Sequence, residues 1–171
     1  MKITVTGTQM ELTKFFKAFN IDPQKFKALV EGGLVEKADH VDDKEIYKVL
    51  QDVSWETIWL AELILEHGMK VKQEDANGVY LTPEQIELFG KLGERAASAR
   101  VGGSKRVSLR LNVEDDVLSI KMKKGEKRYY LSEAAISTFK QFLDTYDDDY
   151  RGYLEDNDIA DPRVLDPPTQ G

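Results

Sequence analysis

The acidic stretch 145–159, TYDDDYRGYLEDNDI, places carboxylates at a spacing that could bind a metal ion. With Asp147 taken as the first position of a twelve-residue calcium loop, Asp149 occupies the third position and a glycine the sixth. Two residues count against calcium. Arg151 places a cation where an oxygen ligand belongs, and Asp158 is shorter than the usual terminal glutamate. Calcium binding by a degenerate loop is therefore kept as an alternative, and no metal or other cofactor is predicted.

The same carboxylates could instead imitate the phosphates of a nucleic acid. Regularly spaced carboxylates can occupy a basic groove on a partner protein, and interleaved tyrosines can anchor such a contact. The candidate partner-binding residues are Asp147, Asp148, Asp149, Tyr150, Tyr153, Asp156 and Asp158. This pattern suggests an inhibitor of a basic nucleic-acid-handling protein, a role for which compact acidic chains are frequent among viral proteins. The alternative is a solvated acidic surface without a partner.

A basic segment precedes the acidic stretch and could bind nucleic acid. Strict alternation of apolar and polar residues predicts a strand over 106–113 and a returning strand over 117–122, which with a third strand would form an antiparallel meander. The candidate nucleic-acid-binding residues of this basic meander (105–130) are Arg106, Arg110, Lys121, Lys123, Lys127, Arg128 and Tyr129. Cations on phosphates and tyrosine rings under bases are a common way of holding a single strand. A charged face that only keeps the protein in solution is the alternative.

The segment 105–146 resembles the single-strand-binding modules of transcriptional coactivators and purine-rich element binders. The resemblance rests on the order of the predicted strands and on Tyr130-Leu131-Ser132, which leads into a helix. It implies an antiparallel sheet packed on one helix, with single-stranded nucleic acid as the ligand.

Charge is strongly segregated along the chain, although the net charge is only -7. Residues 1–90 contain 10 Lys and Arg against 16 Asp and Glu, residues 91–131 contain 11 against 5, and residues 132–171 contain 3 against 10. A basic middle and acidic flanks allow either a local attraction for phosphate or the capture of a basic partner. We therefore expect a non-catalytic accessory or regulatory factor of nucleic-acid metabolism, with single-stranded nucleic acid or a basic protein as its partner.

The predicted architecture is α+β, with an N-terminal strand and helices followed by two β-hairpin-plus-helix units. The two units cover 69–92 and 118–143, and each has a glycine turn and a Tyr-Leu-Thr or Tyr-Leu-Ser entry to its helix. The expected organisation is a mainly helical part over 1–68, an α+β part over 69–160, and an extended or disordered tail over 161–171.

Other functions have weaker support in the sequence. A helix-turn-helix outline over 10–33 has no arginine in its second helix, which argues against DNA reading. His40 and His67 are 27 residues apart and the chain has no cysteine, so no catalytic or zinc pattern is present and an enzyme is not expected. No apolar run approaches the length of a membrane span, and we expect a soluble, cytoplasmic protein.

Overall fold

The computed structural model describes residues 43–166, which form five α-helices, one 3-10 helix and a four-stranded antiparallel sheet. In chain order the elements are α1 (Lys44–Asp52), α2 (Trp55–Lys70), β1 (Glu74–Asp75), β2 (Gly78–Leu81), α3 (Pro83–Gly90), α4 (Glu94–Arg110), β3 (Leu118–Lys123), β4 (Glu126–Ser132), α5 (Glu133–Asp156) and the 3-10 helix (Pro162–Val164). The predicted α+β class is confirmed. The predicted N-terminal strand and the helix-turn-helix outline over 10–33 lie outside the described residues.

Both predicted hairpin-plus-helix units are present, and together they build the sheet. The first hairpin leads into α3 and the second into α5, and the strand order is β1-β2-β4-β3. Strand β4 is therefore central: its Tyr130 pairs with Tyr80 of β2 and with Ser119 of β3. The two units thus share one sheet through the antiparallel pairing of β2 with β4.

Local sequence explains where the helices begin. The Thr82 hydroxyl accepts a hydrogen bond from the Gln85 backbone, and the Gln85 side chain accepts one from the Thr82 backbone, which is a capping box ahead of Pro83. Ser54 caps α2 by accepting from the backbone of Thr57. These capping residues mark the turns between elements.

The core lies between one face of the sheet and the helices. Val79, Leu81 and Leu131 point to this face and are buried, in keeping with the alternation of side chains along a strand. Helix α2 is buried on nearly all sides, and its Trp59 lies in the core. The opposite side of the sheet, called the outer face below, presents Tyr80 and the polar residues of β3 and β4.

Helix α4 corrects the strand predicted over 106–113. One helix covers Glu94–Arg110, including the pair Gly102-Gly103, and a turn follows. The buried positions of α4 are Ala97, Val101, Ser104 and Ser108. These positions are separated by four, three and four residues, which places them on one face of a helix; one face of a strand would require a separation of two. The basic meander therefore lacks its predicted first strand, and the likeness to single-strand-binding modules does not hold over 105–110.

The last described residues return to helix α2. The indole nitrogen of Trp59 donates a hydrogen bond of 2.9 Å to the carbonyl of Ala160, and Pro162 at the start of the 3-10 helix is buried. Pro162 belongs to the predicted tail and Ala160 immediately precedes it, while residues 167–171 of that tail lie outside the described residues. The predicted division of the chain at residue 68 falls within α2, which ends at Lys70.

Across residues 43–166, no helix combines the length and the apolar character that crossing a membrane requires.

Candidate functional site

Three of the predicted nucleic-acid-binding residues share the outer face of the sheet. Lys121 and Arg128 are paired across β3 and β4, and Lys123 follows two residues after Lys121 on the same side. The lysines are exposed, whereas the side chain of Arg128 is only 14% exposed. The Lys121 ammonium donates a hydrogen bond of 2.9 Å to the side chain of Asn77. This face thus offers two accessible cations at the β3 end of the sheet.

Lys127 and Tyr129 lie on the opposite side of the sheet, toward the helices. Tyr129 has 0% exposed surface, and its hydroxyl shares a hydrogen bond of 2.7 Å with Ser98 of α4. Lys127 forms an ion pair with Glu94 and lies 5.6 Å from the centre of the Tyr129 ring. The ring of Tyr129 is therefore part of the core and cannot stack under a nucleic-acid base.

Arg106 and Arg110 are exposed on helix α4 and are not on the sheet. Arg110 forms an ion pair with Asp52 at the end of α1. The seven residues predicted to bind nucleic acid are thus divided among the outer face, the inner face and a helix. They do not form one continuous surface.

Tyr80 is a further residue of the outer face, outside the set predicted from the sequence. The Arg128 guanidinium lies 4.2 Å from the centre of the Tyr80 ring and forms ion pairs with Glu126 and Asp75 at 2.7 and 3.3 Å. The signal was present in the sequence, because Tyr80 stands between two apolar residues of a short strand and must face away from the core. The outer face therefore carries a half-buried ring next to a cation whose charge is already balanced.

The acidic stretch is helical, not a loop. Helix α5 runs from Glu133 to Asp156, with a kink at Tyr146 where φ is -109° and ψ is 17°. Most of the residues assigned to a calcium loop therefore have helical backbone, so the calcium-loop interpretation of 147–158 is wrong about local structure. Among the residues that the structure describes, no group of three or more His, Cys, Asp or Glu side chains is placed to hold a metal ion.

Exposed carboxylates line one side of the second half of α5. We call this the acidic face, and it consists of Asp144, Asp148, Asp149, Glu155 and Asp156. At about 100° per residue, the last four project within an arc of about 120°. None of the five has an ion-pair partner within residues 43–166. Asp158, the last of the predicted partner-binding carboxylates, is also exposed just after the helix.

The other predicted partner-binding residues face the protein. Tyr150 has 0% exposed surface and stacks on Trp55 with 5.6 Å between ring centres. Tyr153 is half-buried, and burial together with the Glu56 carboxylate raises its pKa. Asp147 accepts a hydrogen bond of 3.0 Å from Arg151. Tyr150 is thus a core residue and not a surface anchor, and Asp147 is already paired.

Arg151 joins three segments of the chain in a buried charge cluster. Its guanidinium donates two hydrogen bonds, of 2.5 and 2.7 Å, to Glu62 of α2, and others to Asp147 and Asp161. Glu62 is 1% exposed and also accepts a hydrogen bond of 2.8 Å from the Tyr150 hydroxyl. Burial and the charge of Glu62 raise the pKa of Tyr150, so this hydroxyl remains a donor. The cluster holds α2, α5 and the C-terminal segment together.

The carboxylates of the acidic face are unevenly spaced along α5. At about 1.5 Å per residue, the successive axial intervals from Asp144 to Asp156 are about 6, 1.5, 9 and 1.5 Å, an average of about 4.5 Å per charge. One DNA strand has a charge about every 3.4 Å of helix axis, so the average charge density of the acidic face is somewhat lower. The face therefore carries two close pairs of charges and one single charge.

No model of a known protein family matches the chain, and no similar curated protein or solved structure was found.

Proposed function

We propose that this chain is a non-catalytic binding protein whose acidic face contacts a basic, nucleic-acid-handling protein in place of nucleic-acid phosphates. The observation that carries the proposal is the set of exposed carboxylates on α5 that have no ion-pair partner among the described residues. The four carboxylates after the kink at Tyr146 lie on one helical segment, so little conformational entropy is lost when a partner binds them. The consequence would be inhibition or regulation of the partner.

The contrast with three of the six predicted cations supports this choice. Lys127, Arg128 and Arg110 already have carboxylate partners. The acidic face has none among the described residues, so its charges are available to a partner. Complementary charge of this kind contributes mainly to the rate and the specificity of association.

The test uses an arginine-rich peptide of nine residues as a minimal basic partner, with binding followed by calorimetry at several salt concentrations. The triple variant D148N/D149N/D156N should weaken binding by about tenfold, because three exposed ion pairs of about 0.5 kcal/mol each are removed. The matched control E74Q/E84Q/E87Q makes the same change in net charge with exposed residues outside the acidic face. Equal weakening by the two triple variants would show that net charge alone attracts the peptide, and the proposal would be wrong.

A second experiment tests the imitation of phosphates. A basic DNA-binding protein is first bound to labelled duplex DNA, and the chain is then added. The chain should displace the DNA with a strong dependence on salt, whereas the triple Asn variant should not. Persistence of the DNA complex at saturating concentrations of the chain would contradict the proposed mechanism.

Single-stranded nucleic acid binding at the outer face is the second candidate function. It is favoured by Lys121 and Lys123, which are exposed on the same side of the sheet as the Tyr80 ring. The variant K121A/K123A should weaken the binding of a labelled single strand and reduce its salt dependence. An absence of binding at low salt would exclude this candidate.

A further inference from the structure

A groove between α2 and α5 adjoins the acidic face. Its volume is about 470 Å³, and its lining includes Leu65 and Met69 from α2 and Leu143 and Asp144 from α5. Volumes of about 300–1,000 Å³ are typical of sites that take a small ligand. Asp144 belongs to both the groove and the acidic face, so the two surfaces meet at this residue.

The walls of the groove combine apolar surface with unpaired negative charge. Met69 is 48% exposed, and Leu65 and Leu143 continue the apolar wall. Glu66 and Asp144 are the lining carboxylates without an ion-pair partner among the described residues. An elongated ligand with an apolar stem and a cationic end would match both features.

The positive charges in the lining are mostly neutralised. Arg151 is paired with Glu62, Asp147 and Asp161, and Arg163 with Asp147 and Asp161. Lys140 is exposed and is the lining cation without a carboxylate partner within residues 43–166. The unpaired charged groups of the lining are thus two carboxylates and one lysine, which leaves one net negative charge for a cationic ligand.

We propose that this groove receives one arginine or lysine side chain of the basic partner, with its methylene stem on Leu65, Met69 and Leu143 and its charge on Glu66 and Asp144. This inference rests on the proposed function, because the acidic face would bring the partner to the groove. A side chain of this kind buries its stem while its charged end contacts carboxylates. The groove would then anchor the complex, and the acidic face would attract it.

The test is methyl NMR of the full chain with carbon-13-labelled methionines, titrated with the nine-residue arginine peptide. The chain has four methionines, among them Met69 in the groove and Met122, which is 65% exposed on β3 and serves as an internal control. The Met69 methyl signal should shift in proportion to binding, and the Met122 signal should not.

Three substitutions complete the test. Glu66→Gln should weaken peptide binding by about threefold, while the control Glu87→Gln, an equal charge change outside the groove, should leave it nearly unchanged. Met69→Ala should weaken binding by about twofold through loss of apolar contact. Lys140→Gln should strengthen binding by about twofold, since it removes a repelling charge.

The outcomes separate this inference from the proposed function. If the peptide binds and D148N/D149N/D156N weakens binding, but the Met69 signal and Glu66→Gln have no effect, the groove is not the anchor and the proposed function stands. If the peptide does not bind even at low salt, both are wrong.

Discussion

Glu62 lies in the middle of an apolar helix with 1% of its surface exposed, and its charge is balanced by Arg151. A charged residue in such a helix needs a buried partner, since burial of an unpaired carboxylate is very unfavourable. Arg151→Met should therefore lower the free energy of unfolding by about 3–5 kcal/mol, measured by urea denaturation.

Two further variants define the role of this pair. Arg163→Met, at a half-exposed arginine of the same neighbourhood, should lower the free energy of unfolding by only about 1 kcal/mol or less. The double variant E62L/R151M should recover part of the loss caused by Arg151→Met, because apolar residues can replace a buried ion pair. Equal effects of the two arginine substitutions would contradict a special role for the buried pair.

His67 gives the folded protein a specific sensitivity to mild acid. It is buried on α2, stacks on Phe89 with 4.6 Å between ring centres, and its Nε2 has no hydrogen-bond partner. Burial lowers the pKa of His67, and the nearby charge of Lys70 adds to this, while a hydrogen bond with the backbone of Pro162 opposes it. The imidazole is therefore neutral in the folded protein at neutral pH.

The sign of the pH effect follows from this lowered pKa. The unfolded chain takes up a proton near the ordinary pKa of 6.5, before the folded protein does, so folding stability is complete above that pH and falls below it. Wild-type protein should lose more free energy of unfolding between about pH 7.5 and 5.5 than His67→Gln does. Both proteins retain His40, so any contribution of that residue is the same in each. Equal losses of the free energy of unfolding would therefore show that His67 does not cause the pH dependence.

At the scale of elements, the two hairpins and their helices were predictable because their signals agree. Alternation, a turn glycine and a hydroxyl residue before each helix all indicate the same boundaries, as at Thr82 and Pro83. Helix α4 was not predictable in this way, because its buried face uses the small residues Ala97, Ser104 and Ser108. Over 106–113 the apolar residues happen to alternate, and the pattern resembles a strand.

The Gly-Gly pair of α4 provides a test of that correction. Gly102 is helical, and a Cβ at this position would meet no atom within 4 Å. Gly102→Ala should therefore raise the free energy of unfolding by about 0.5–1 kcal/mol, measured by thermal or urea denaturation. In a flexible link, the same substitution would change stability little.

Gly78→Ala is the matched control for this substitution. Gly78 has a φ of 131°, and a Cβ there would lie 2.0 Å from the carbonyl oxygen of Leu131. The substitution should lower stability, since neither the backbone conformation nor the space admits a side chain. The two Gly→Ala variants are thus expected to change stability in opposite directions.

For the candidate site, the sequence shows which residues are charged but does not show which side chains are exposed. Four of the five aspartates predicted between 147 and 158 are exposed, whereas Asp147 is paired with Arg151. The calcium-loop spacing falls on helical backbone, where Arg151 is directed to Glu62 on another helix. The sequence predicts Tyr129 and Tyr150 as surface rings, but both are buried. Sequence shows that a residue is aromatic, but the tertiary neighbours decide whether its ring is exposed.

At the scale of the whole molecule, the C-terminal segment packs against α2 and pairs with Arg151 of α5. Deleting residues 161–171 removes Asp161 from the buried charge cluster and exposes the surface that Pro162 covers. The truncated protein should unfold at a lower urea concentration, and its tryptophan emission should shift because Ala160, which accepts the hydrogen bond from Trp59, becomes the last residue of the chain. The control is a chain that ends at Asp166, which retains the contacts of Asp161 and Pro162. If both truncated proteins lost the same amount of stability, this explanation would be wrong.

The strand order has a consequence for folding during synthesis. Strand β4 pairs with both β2 and β3, so Gly78 meets Ser132 only after more than 50 further residues have been made. Until then β2 has, among the described strands, only the two residues of β1 as a neighbour. A nascent chain that stops before β4 should therefore expose an unpaired, apolar strand. At this stage of synthesis, β2 is most accessible to chaperones and most prone to aggregation.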